Sequence, residues 1–339
     1  MKDKKQNKRI NGGHRLLFFC ILCLFGLYVA VSYAEEQPQR EQSKTKVILL
    51  HTDNLTYDQY RHPGAQILTG NVQFQHDGVL MYCDSACFYE ATNSFDAFGH
   101  VKMVQGDTLD LVGDMLLYNG LDQLARVRHN VVLTHRESKL YTDSLDYDRL
   151  YELGYFFEGG KLVDKDNVLT SDWGQYSPPT RQAVFNYNVK LENPKFTLIS
   201  DTLNYNTLTS MAEIVGPSNI DSGDNHIYSE SGFYNTQTEE AILLDRSIVT
   251  NKGRKMVGDS LYYDSKSGVG EGFRNVVYTD EVNKNMLTGN YCYYNDSTGY
   301  SMATDSAVAI DYSQRDTMYM HADTFKVYTF YMDTDSMYR

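Results

Sequence analysis

Proline is scarce in this chain, six residues in 339, and its scarcity leaves room for long unbroken hydrogen-bonded ladders, because each proline removes a backbone donor. Helical patterning is scarcer still. After residue 35 no segment holds apolar helical spacing for more than a turn or two, which excludes a helical domain. Positive charge is also short, with 31 Lys plus Arg against 44 Asp plus Glu. Such a balance repels nucleic acid and anionic polymers, so nucleic acid is not an expected partner. The sequence lacks Gly-x-Ser-x-Gly, His-Glu-x-x-His and phosphate-loop motifs. Its histidines after residue 34 (His51, His62, His76, His100, His129, His135, His226 and His321) read as scattered surface residues without a common register. No enzyme, cofactor or metal site is therefore expected.

Cysteine is thinly spread too. Cys83 and Cys87 lie four apart in one strand, about 13 Å between Cα atoms at about 3.3 Å per residue, whereas a disulfide needs about 4.4 to 6.8 Å. Cys292 lies seven repeats further on, so free thiols are expected. A Cys-x-x-x-Cys pair without a second Cys/His pair reads as small strand residues and not as a metal site.

The chain has one extended apolar run, residues 16–31, preceded by Lys2, Lys4, Lys5, Lys8, Arg9 and Arg15 and followed by Ser32-Tyr33-Ala34. Basic, apolar and small-x-small regions in that order read as a cleavable signal peptide over residues 1–34. The run is short for a membrane span of about 20 residues. Its removal takes away six basic residues and one acidic residue, moving the formal net charge from −13 to −18. Residues 35–46 are charged and read as a flexible tether; residues 47–339 read as one repeat domain.

What the chain has in abundance is period. The element Val112-Gly113-Asp114-Met115-Leu116-Leu117-Tyr118 returns with its acidic or isosteric anchor at Asp84, Asp114, Asp143, Asp172, Asp201, Glu230, Asp259 and Asn290, mostly 29 residues apart. Four residues after each anchor stands an aromatic: Phe88, Tyr118, Tyr147, Tyr176, Tyr205, Tyr234, Tyr263 and Tyr294. Between anchors lie Asn-Val-like elements such as Asn71-Val72, His100-Val101, Asn130-Val131 and Asn188-Val189, then turn residues. Alternating Val, Tyr, Thr and Phe predict β-strands, two per repeat, stacked about nine times.

The anchor acids cannot be a buried column, since ionised carboxylates packed together cost more than packing returns. A small residue precedes each one, which predicts a bend that turns the acid outward or lets it accept backbone N–H groups. The aromatics predict a packing ladder with hydroxyls reaching water. Both sets (Asp84, Asp114, Asp143, Asp172, Asp201, Asp259; Tyr118, Tyr147, Tyr176, Tyr205, Tyr263) are expected to set the repeat and not to do chemistry.

The stretch Ile67-Leu68-Thr69-Gly70-Asn71-Val72-Gln73-Phe74, with its turn at Asp77-Gly78 and its Cys83-Asp84, resembles the core element of the OstA/LptA family of periplasmic lipopolysaccharide-transport proteins. Diverged versions follow from Phe98-Gly99-His100-Val101 to Gly113-Asp114 and from Val127 to Asp143. The resemblance implies an all-β fold, an elongated, open, V-shaped antiparallel β jelly roll stacked like a solenoid from about nine repeats of about 29 residues. It implies an apolar interior that holds the acyl chains of lipid A, and edge-strand pairing with neighbouring jelly rolls of a transport bridge or head-to-tail with further copies. It places the chain in the periplasm, alone or within an outer-membrane assembly. The residues agree with an apolar trough: Val72, Phe74, Val101, Met103, Leu116, Val131, Leu133, Leu145, Val189, Leu191, Leu203 and Leu261 are the lining expected from alternation. A structural or adhesive cell-surface β-solenoid without lipid cargo is the alternative, and an exported polysaccharide-acting β-helix enzyme a third.

Overall fold

The computed structural model describes residues 45–328. The signal peptide, residues 35–44 of the tether and the chain beyond Tyr328 lie outside them. Period-two alternation of β-branched and aromatic residues makes strands, and among the described residues strands make up all of the regular structure apart from one turn of 3-10 helix at Glu90–Thr92. Strand follows strand as an antiparallel meander: Gln66–His76, Val79–Tyr89, Ser94–Gln105, Leu109–Asn119, Leu124–His135 and Ser138–Asp148 each pair with the strand before and the strand after. The same pattern resumes with Gln182–Asn193 and runs on to Met318–Tyr328.

A crease crosses every long strand. Thr69 pairs with Ser85 and Val72 with Cys83, so Gly70 and Asn71 together face Asp84 alone. The same two-against-one mismatch sets Gly99-His100 against Asp114, His129-Asn130 against Asp143, Tyr187-Asn188 against Asp201, Arg274-Asn275 against Asn290, and Asp305-Ser306 against Asp323. The paired residues all have positive φ, from 43° at His100 to 82° at Gly70. Asn tolerates that left-handed region better than most residues, and Gly enters it freely. At Gly70 a Cβ would also collide with the Asp53 carboxylate.

Between residues 153 and 177, and again between 240 and 264, the crease divides the strands outright. Leu153–Phe156 and Gly160–Asp164, for example, are separate halves of one strand position, as are Glu240–Leu244 and Ile248–Asn251. The crease folds the meander into a V with two limbs. One, here the tyrosine limb, carries Tyr118 and its counterparts; the other, the facing limb, carries Val72, Phe74 and theirs. Their inner faces pack into one continuous apolar core running from Val47 to Ala309, where Phe74 of the facing limb stacks on Phe95 of the tyrosine limb at 4.1 Å between ring centroids. Each fully buried Leu or Phe there contributes about 1.5 to 3 kcal/mol. The fold is the all-β antiparallel jelly roll that the family resemblance implied.

The meander does not close on itself. Among the described residues, Met318–Tyr328 pairs only with Tyr300–Asp311, and the short strands Ile48–His51 and Asn54–Tyr57 pair only with Gln66–His76.

Candidate functional site

Alternation drives the twelve residues expected to line a trough onto the inner faces of the V. Val72, Phe74, Val101, Met103, Val131, Leu133, Val189 and Leu191 lie on the facing limb, Leu116, Leu145, Leu203 and Leu261 on the tyrosine limb. None is more than 2 % exposed. In this state they fill the space between the limbs with each other.

The mouth of the V is closed by a polar seam. The tyrosine hydroxyls do not reach water as the repeat alone suggested; Tyr118, Tyr147, Tyr176, Tyr205 and Tyr263 are at most 2 % exposed, because each ring spans the interior and ends at the opposite lip. The Tyr118 hydroxyl lies 2.7 Å from His76 Nδ1 and that of Tyr176 2.9 Å from His135 Nδ1. Tyr205 donates to Asp164 Oδ2 at 2.8 Å and accepts from Asn167 Nδ2 at 2.9 Å. Tyr263 donates to Asn225 Oδ1 at 2.7 Å, and Arg254 reaches the Tyr294 hydroxyl at 3.4 Å while pairing with Asp280 and Asp296. Turn residues add further ties: Gln123 to Asp77 at 2.9 Å, Gln105 to Glu152 at 2.6 Å and Lys195 to Glu239 at 2.7 Å. Arg149 donates to the Tyr118 hydroxyl and to the His76 carbonyl. Among the described residues no backbone–backbone hydrogen bond crosses this mouth.

Burial fixes the charge state of the seam. Loss of water lowers the pKa of His76 and, with Arg181 and Arg136 nearby, that of His135, so both rings are neutral acceptors or donors at neutral pH. Burial raises the pKa of Tyr118, Tyr147, Tyr176, Tyr205 and Tyr263.

The histidines thus have more order than they showed in the sequence. His76 and His135 occupy one lip position, the last residue of each facing-limb strand, which runs His76, Gln105, His135, Asp164, Asn193, Ser222, Asn251 and Asp280. A polar residue every 29 or 30 positions, immediately after an apolar alternation, was the signal available for this second column. It was hidden because the residue types differ.

The anchor acids sit on the outside of the crease. Asp84, Asp114, Asp143, Asp172 and Asp201 are exposed and Asp259 is half-buried. Each of four accepts from the creased residue sixteen positions on: Asp84 from His100 at 2.7 Å, Asp114 from Asn130 at 2.6 Å, Asp172 from Asn188 at 2.6 Å and Asp259 from Asn275 at 2.8 Å. Asp143 meets His129 at 3.2 Å. Among the described residues no three His, Cys, Asp or Glu side chains are grouped to hold a metal ion. Cys83, Cys87 and Cys292 are free and buried, with the thiols of Cys83 and Cys292 pushed up to about 12 by loss of water. No helix of the described residues is long and apolar enough to cross a membrane.

Among solved structures, the chain is similar to LptH, the LptA-homologous periplasmic component of the lipopolysaccharide transport device from Pseudomonas aeruginosa, at 16 % identity and a TM-score of 0.30, over 32 % of this chain and 82 % of that one. No curated protein matches. The family of OstA-like proteins matches residues 44–201 and 195–259, together more than half of the chain. The chain that carries this creased, acid-anchored repeat therefore belongs to the OstA-like family.

Proposed function

We propose that this protein is an exported lipopolysaccharide carrier, not an enzyme. It acts in the periplasm, holds lipid A acyl chains between the limbs of the V and bridges toward the outer membrane. The observation that carries this reading is the combination of one unbroken apolar core between two limbs with a mouth held by side chains alone. Parting the seam breaks hydrogen bonds that water can replace, each worth about 0.5 to 1.5 kcal/mol net. Acyl chains entering the gap return about 0.8 kcal/mol for each buried CH₂. A chain of a dozen carbons therefore outweighs several seam bonds, and the sugars and phosphates stay in water. The unpaired edges of Met318–Tyr328 and of the first short strands are templates for strand addition by a neighbouring jelly roll or a second copy.

One observation favours a different reading. The interior residues are already packed against each other, as they would be in a structural or adhesive β-solenoid that never opens. Photo-crosslinking residues at Phe74, Leu116 and Leu203, tested in living cells beside outward-facing controls at Tyr141 and Ile199, separate the two. The carrier reading expects lipopolysaccharide adducts at the three inner sites above the controls; inner sites no better than the controls would leave the solenoid.

A further inference from the structure

We propose that the seam contains a built anion site at which the phosphate of an acylated ligand is held, between the turns carrying Arg136 and Arg181. The proposal rests on the carrier reading for its ligand but stands on its own geometry. Elsewhere along the mouth polar lip residues such as His76, Asp164 and Arg254 meet a tyrosine hydroxyl of the other limb. Between the facing-limb turns at residues 105–109 and 135–136 and the tyrosine-limb residues Glu152 and Pro178 to Arg181, the lips instead leave a cavity of about 390 Å³. That is room for a phosphorylated sugar ring.

Three features point to an anion. Arg136 and Arg181 line this cavity and also an adjoining one of about 300 Å³, and neither guanidinium is in an ion pair among those of the described residues. Two unpaired guanidiniums at one opening are unusual in a chain of net charge −13, and their planar donor pairs match phosphate oxygens two at a time. Second, the fully buried Tyr147 is among the residues lining the cavity and its hydroxyl has no hydrogen-bond partner; Gln105, in the same wall, has a buried Oε1 without one. A buried polar atom without a partner costs about 1 to 3 kcal/mol, which a ligand hydroxyl or phosphate would recover. Third, the cavity sits on the apolar interior. The Tyr147 ring, Leu145 and Leu133 all approach the same point above Gly154, at 3.5 to 3.6 Å from where its Cβ would be. A head group on the arginines therefore has its acyl chains aimed between the limbs. One carboxylate, Glu152, shares the wall and is tied by Gln105 Nε2 at 2.6 Å. It leaves the two guanidiniums in excess.

The test compares three probes on the full mature chain: dimyristoyl phosphatidate and dimyristoyl glycerol, each in dodecyl maltoside micelles, and pyrophosphate alone. The wild type is expected to prefer phosphatidate over the glyceride by about tenfold or more, as charge-assisted contacts require. Arg136→Gln with Arg181→Gln removes that preference while glyceride affinity and melting temperature hold. Tyr147→Phe, which changes no charge, reduces the preference in part. Equal binding of the two lipids by the wild type, or a preference that survives the double substitution, overturns the site and leaves the carrier reading standing. Arginine-dependent binding of pyrophosphate with neither lipid bound supports a site for a free anion and overturns the carrier reading. Binding of none of the three overturns both.

Discussion

Tyr147 and Tyr205 hold the same position two repeats apart, and both are fully buried, yet their hydroxyls differ in worth. Tyr205 bonds Asp164 and Asn167, themselves at most 2 % exposed, whereas the Tyr147 hydroxyl has no partner. Tyr205→Phe strips a donor from a buried carboxylate and should cost about 1.5 to 3 kcal/mol. Tyr147→Phe should cost less than about 0.5 kcal/mol in the absence of ligand. Urea unfolding of the two variants checks the contrast; equal losses would mean that the seam bonds do not stabilise the fold. The tyrosines themselves were legible in the sequence as a column, because one residue type recurred. Their destinations were not, since His76, His135, Asp164, Asn225 and Arg254 share polarity but no chemistry, and lie about 40 residues upstream of the rings they meet.

At the scale of the strand pair, the crease explains why an acid recurs where burial forbids one. Two left-handed residues on one strand against one on its neighbour turn the chain, and the outward carboxylate ties down the Asn or His that pays for the left-handed φ. The bend was readable from the small residue before each acid. The two-for-one register was not, because it depends on which residue faces which across the hairpin. The seam between limbs has a pH dependence that follows from its histidines. His76 lies among Tyr118, Arg149, Asp77 and Thr45, and His135 beside Tyr176, Arg136 and Arg181. With both pKa values lowered on folding, the unfolded chain binds more protons below pH 6.5. Their stabilisation is thus whole above pH 6.5 and is lost as pH falls from there through the folded-state values, by up to about 1.4 kcal/mol per pH unit for each ring. Unfolding free energy should be lower at pH 5.5 than at pH 7.5, and a His76→Asn, His135→Asn double variant should narrow the difference. A difference of the same size in that variant would assign the acid sensitivity to other groups.

For the described molecule as a whole, period and alternation sufficed to read an all-β repeat, and the same alternation named the inner apolar residues. It could not say whether the space between them is occupied, since a groove for lipid and a packed core draw on the same residues. What decides is the mouth, and it is closed by side chains only. The carrier account requires that it open. The direct measurement is the distance between nitroxide labels at Asp77→Cys and Gln123→Cys, residues that touch across the mouth at 2.9 Å, read by pulsed electron resonance during titration with lipopolysaccharide. Cys83, Cys87 and Cys292 are buried, so label goes to the introduced thiols. The account predicts a second, longer distance that grows with lipid, displaced by on the order of 4 Å or more, the thickness of one layer of carbon in contact. A single unchanged distance at saturating lipid would contradict it.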